Sequence, residues 1–79
     1  MLKWFKVEDA YLNNREEWMI TGFEASGGIP YNGEGNILDT MISHGLLGKK
    51  NNCEVNFLSK REVEITDFES QKPLYRCFI

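Results

Sequence analysis

Few residues in this chain have types and spacings that could do chemistry. The first candidate is the glycine-rich run at residues 26–35, SGGIPYNGEG, which leads into a helix-like stretch. Exposed backbone N–H groups and a helix N-terminus together attract anions. A phosphate-binding loop, however, needs a lysine and a hydroxyl after its last glycine, and here Asn36 and Ile37 follow Gly35. A dinucleotide fingerprint would require glycine where Leu38 stands, and Glu34 brings negative charge to the anion's place. The run therefore reads as a connecting loop, and no cofactor is expected.

His44 is the only histidine. Its neighbour Ser43 would point about 100° away on a helix, so the two form no nucleophile–base pair. Near a helix C-terminus the imidazole reads instead as a cap. Cys53, Cys77 and His44 lack the short paired spacings of a structural zinc site, so no metal is expected. Glu62 and Glu64 share the polar side of one strand-like run, with Asp67 and Glu69 beyond it. Beside Lys60 and Arg61 they read as a solvated, charged strand face. No catalytic constellation emerges, and an enzyme is not expected.

What remains is an aromatic surplus: two Trp, three Tyr and five Phe in 79 residues. A chain this short buries only ~60% of its unfolded surface. Its core has little room for so many rings, so some should reach the surface and serve contact. Trp and Tyr are enriched at binding hot spots, which makes Trp4, Trp18 and Tyr31 the expected partner-binding anchors.

Charge separates two classes of partner. The chain carries a net −3; residues 1–47 hold three basic and seven acidic groups, net −4, and residues 48–79 six basic and five acidic, net +1. A nucleic-acid binder wants a basic surface, so single-stranded nucleic acid stacked on sheet aromatics is the second reading rather than the first. No apolar run approaches the ~18 residues of a membrane span, and MLKWFKVED has no apolar leader region. The expectation is one cytoplasmic domain, with Cys53 and Cys77 reduced unless adjacent strands bring them together.

The elements that must position these residues follow from periodicity. Asn36–Leu47, NILDTMISHGLL, has apolar residues at Ile37, Leu38, Met41, Ile42 and Leu46, one stripe of a 3.6-residue helix. Asn36 is the expected N-cap, and His44-Gly45-Leu46 the expected C-cap of a Schellman ending. Strands are predicted at residues 2–7 and 17–25, with Gly22 marking a bulge. Residues 8–15 read as a hairpin in which Tyr11-Leu12 end a strand and Asn13-Asn14 turn, the alternative being a short helix marked by Val7, Tyr11, Leu12 and Trp18. Residues 26–35 form a loop by composition. Alternation then predicts strands around Cys53–Phe57, Glu62–Thr66 and Leu74–Ile79.

The predicted class is α+β: a small antiparallel sheet of four or five strands in the order β-β-α-β-β-β, with one short helix packed on one face. The predicted function is a non-enzymatic protein-binding module, an inhibitor or accessory protein of the size a phage or mobile element carries. Its partner would be another protein or a second copy of itself.

Overall fold

The computed structural model describes residues 1–79. Five strands form one antiparallel sheet: β1 (Leu2–Leu12), β2 (Trp18–Ile29), β3 (Cys53–Phe57), β4 (Glu62–Asp67) and β5 (Pro73–Phe78). One helix, α1 (Ile37–Ser43), lies between β2 and β3, and a single 3₁₀ turn, Lys50–Asn52, leads into β3. The element order is the expected one, but strand so outweighs the seven-residue helix that the fold is mainly β rather than a balanced α+β.

Strand order is β2-β1-β5-β4-β3. The last strand in the chain is thus the middle strand of the sheet. It joins two hairpins, β1–β2 and β3–β4, that do not pair with each other. Register places Trp4 beside Cys77 and Cys77 beside Val63; one step along, Tyr75 pairs with Ile65. Alternation then delivers Leu2, Val63, Ile65, Tyr75 and Cys77 to one side of the sheet. There they form a single buried cluster with Ile29 and with Ile37, Leu38 and Met41 of α1. The helix is too short to persist alone in water, so its place depends on this contact.

Both ends of α1 follow their local sequence. Asn36 accepts through Oδ1 from the backbone N–H of Leu38 at 2.8 Å and of Asp39 at 3.3 Å. At the far end Gly45 takes φ +77°, its N–H donates to the Ile42 carbonyl, and the Leu46 N–H donates to the Met41 carbonyl. These are the two hydrogen bonds of a Schellman ending, and Leu46 packs against the core cluster as that motif requires.

The hairpin reading of residues 8–15 holds, while one expectation about β2 needs correction. β1 runs to Leu12, where Asn13 turns the hairpin by accepting through Oδ1 from the N–H groups of Arg15 and Glu17. β2 does not give way to a loop at Ser26 but continues through Ile29. The glycines there answer to packing rather than to a turn. A Cβ built on Gly27 would lie 2.7 Å from Cζ2 of Trp4, so the strand is bare at that point to admit the indole. The ladder slips around Val7, Asp9 and Ala10, consistent with the irregularity that Gly22 announces.

Cys53 and Cys77 lie on β3 and β5, with β4 between them. Two strand spacings are roughly 9.5 Å, past the ~7 Å that a disulfide tolerates between Cα atoms. The adjacent-strand pairing that would have oxidised them does not occur, because β5 enters the sheet on the other side of β4.

Two predictions follow from this packing. Gly27→Ala should destabilise the fold by about 1–3 kcal/mol in urea unfolding, because Trp4 must move off a packed position. Burial pushes the Cys77 thiol from 9.0 up to about 12, and burial, then Asp67, raises Cys53. At mildly alkaline pH a thiol reagent should modify Cys53 slowly and Cys77 only on unfolding. Since the folded Cys77 keeps its proton where the unfolded one loses it, its contribution is intact below pH 9.0 and is lost as pH rises towards about 12.

Candidate functional site

Alternation that sends Trp4, Tyr75 and Cys77 to the core sends their neighbours to the opposite face. Lys3 and Phe5 of β1, Arg76 and Phe78 of β5, and Glu62 and Glu64 of β4 stand there, and Phe23 reaches them from β2. The Phe5 ring meets Phe78 edge-on at 5.7 Å between centroids and Phe23 at 5.8 Å. Both arrangements place a ring edge against a neighbouring face, the favoured geometry for aromatic pairs. Phe23 and Phe78 remain 46% and 39% exposed, so the trio presents apolar surface to solvent rather than closing a second core. With Arg76 the three rings line a shallow depression of about 290 Å³.

The polar half of this face is organised around Arg76. Its Nη2 donates to Glu64 at 2.8 Å, and Nη1 lies 4.0 Å from Glu62. The cross-strand pairing of Arg76 with Glu64 places these groups side by side. Nε of Arg76 is buried without an acceptor, so the guanidinium is committed to its two glutamates through its outer nitrogens. Lys3 sits with Nζ 5.5 Å from the centre of the Phe5 ring, within reach of a cation–π contact. The whole face thus grades from aromatic and cationic on β1 to carboxylate on β4.

The three aromatics singled out by residue type are not brought together. Trp4 lies on the core side, edge-on to Tyr75 at 5.9 Å, and packs against the buried cluster. Tyr31 also packs there, donating its hydroxyl to the Gly35 carbonyl at 3.0 Å. Trp18 stands at the far end of the β1–β2 hairpin and donates Nε1–H to the Ser70 carbonyl at 3.1 Å. Each is engaged by the fold itself. Phe5, Phe23, Phe78 and Arg76 come together on the opposite face, which residue type alone does not indicate. Counting alternate residues from the apolar Leu2 and from Tyr75 puts Phe5 and Phe78 on the opposite face.

The remaining candidates take structural positions. His44 is the C-cap residue of α1. The glycine run contributes Gly27 and Gly28 to β2, while Gly33 and Gly35 take positive φ in the loop before the helix. Asp67 is held by Ser70, whose backbone N–H and hydroxyl both donate to Oδ2 at 2.9 Å, and this lowers its pKa. No group of three or more His, Cys, Asp or Glu side chains is arranged to hold a metal ion. An open groove of about 510 Å³ lies on the helix side, with Lys6, Lys49, Leu46, Leu47, Cys53 and Tyr75 among its walls. No helix is long and apolar enough to cross a membrane.

These placements separate core from surface experimentally. Trp4→Ala should cost about 3 kcal/mol or more in unfolding free energy, as large-to-small core substitutions do. Phe23→Ala, on the open face, should cost less than about 1 kcal/mol. Chemical denaturation of the two variants checks the pair. No known protein family, curated protein or solved structure matches this chain, so the reading of its function rests on the geometry of this face.

Proposed function

We propose that this is a non-enzymatic protein-binding module, in which α1 covers one face of the sheet and the opposite face meets a partner. The observation that carries the reading is the Phe5–Phe23–Phe78 trio: Phe23 and Phe78 each pack edge-on against Phe5, and both remain substantially exposed on the sheet. Apolar surface of this kind, bordered by charged groups, marks interaction sites on small proteins. Preformed rings lose little conformational freedom on binding, which favours affinity from a small surface. The contact is assigned to these phenylalanines rather than to Trp4, Trp18 and Tyr31, which the fold already uses. An inhibitor or accessory protein would act through such a contact alone. Unpaired thiols suit a reducing, cytoplasmic setting.

The nucleic-acid reading has one observation in its favour, the Lys3–Phe5 pair, since cations beside stacking rings are what single strands contact. Glu62 and Glu64 oppose it by neutralising Arg76 and facing any phosphate backbone with negative charge.

The test is the double variant Phe23→Ser/Phe78→Ser, used beside wild type in affinity capture from the native host. The variant should keep the wild-type circular dichroism spectrum and lose the protein that wild type retains. Equal retention by both would sink the assignment to this face. Retention of labelled single-stranded oligonucleotides, lost with Lys3→Ala, would favour the second reading.

A further inference from the structure

The register of the sheet arranges the open face in two rows. In one, Lys3 of β1 pairs with Phe78 of β5, which pairs with Glu62 of β4. In the next, Phe5 pairs with Arg76, which pairs with Glu64. β5 is the middle strand of five, so cation and aromatic lie on one side of the sheet's midline and carboxylates on the other.

Building on the reading of this face as a binding surface, we propose that its partner is a second copy of the same chain, related by a twofold axis running along β5. Such an axis lays β1 of each copy over β4 of the other, row upon row. Lys3 of one copy then faces Glu62 of the other, twice over, and the two Phe78 rings meet near the axis. Contacts of this self-complementary kind are what a twofold dimer requires.

Charge selects this axis over its alternative. A twofold running across the strands would lay β4 over β4 and set Glu62 and Glu64 of one copy against those of the other. Like charges brought together in an interface are costly, so that packing is disfavoured. The two Arg76 side chains also approach in the preferred arrangement, each held by its own Glu64 at 2.8 Å and Glu62 at 4.0 Å. One arginine against two glutamates leaves excess negative charge, which the other copy's Lys3 offsets here and which a second such group would oppose across the strands. Aligned sheets pack about 10 Å apart, a gap that phenylalanine and lysine side chains fill. The molecule measures 38 × 23 × 22 Å, so its broad face is comparable with the roughly 800 Å² that each partner buries in a standard interface.

The test is sedimentation equilibrium of the intact chain from low micromolar to near-millimolar concentration. Wild type should rise from 9.2 kDa towards twice that mass, and added salt should weaken the rise. Lys3→Glu should weaken the dimer about tenfold or more, as close interfacial charge pairs do. Glu62→Lys should do the same, and the double variant Lys3→Glu/Glu62→Lys should recover much of the loss. Circular dichroism controls for Glu62, which also neighbours Arg76.

Wild type that stays at 9.2 kDa at the highest concentration overturns self-pairing; the binding-face reading then stands or falls on capture with Phe23→Ser/Phe78→Ser. A dimer lost with Phe78→Ser but indifferent to Lys3→Glu, or single variants not rescued by the double, overturns the axis. A dimer indifferent to Phe78→Ser as well is built on another surface and overturns the proposal together with the reading beneath it.

Discussion

The structure depends on one insertion, that of β5 between β1 and β4. Neither hairpin reaches the other; every interstrand hydrogen bond joining the two halves of the sheet involves this one strand. Its inward residues, Tyr75 and Cys77, meet Trp4, Val63 and Ile65 in register and supply the middle of the core. The Tyr75 hydroxyl, donating to the Leu46 carbonyl at 2.8 Å, ties the strand to the chain just past the helix. Its outward residues, Arg76 and Phe78, occupy the centre of the open face. One strand thus sets both the packing and the surface.

The two faces of the sheet are put to different uses. On the core side, strand residues share one buried cluster with Ile37, Leu38 and Met41, and Tyr31, Leu46 and Leu47 pack against it. On the other side Phe23 and Phe78 pack edge-on against Phe5, Arg76 is paired with Glu62 and Glu64, and Lys3 lies over the Phe5 ring without a carboxylate partner. Pairing Arg76 within the sheet lowers what that part of the face loses on desolvation, while Lys3 keeps a charge free to meet a carboxylate. These features support the proposed contact with protein.

How much of this was legible in the sequence depends on the range of the interactions. The caps of α1, the Asn13 turn and the alternation of β3, β4 and β5 are set by residues a few positions apart, and local chemistry sufficed for them. The end of β2 was not legible. Ser26, Gly27 and Gly28 have the composition of a loop, and only the indole of Trp4, placed there by pairing with β1, explains bare backbone in a strand. Strand order was equally hidden, since nothing near Cys77 shows that Trp4 will lie beside it. For the candidate face, composition points to exposed aromatics. The parity that sets Trp4 against the core cluster and Phe5 and Phe78 on the opposite side becomes readable only once the apolar side of each strand is known.

The central place of β5 also bears on how quickly the sheet can form. Its bonds to β1 join residues as far apart in the chain as Lys3 and Phe78, so they close nearly the longest loop this chain permits. The β1–β2 and β3–β4 hairpins close far shorter loops and can form first. Loop closure of that length costs entropy before any native contact compensates, and non-local pairing slows folding accordingly. Until β5 docks, the inner edges of both hairpins are unpaired and their apolar sides are open to other chains. The strand that unifies the native sheet therefore also sets how long its unfinished halves stay exposed to aggregation.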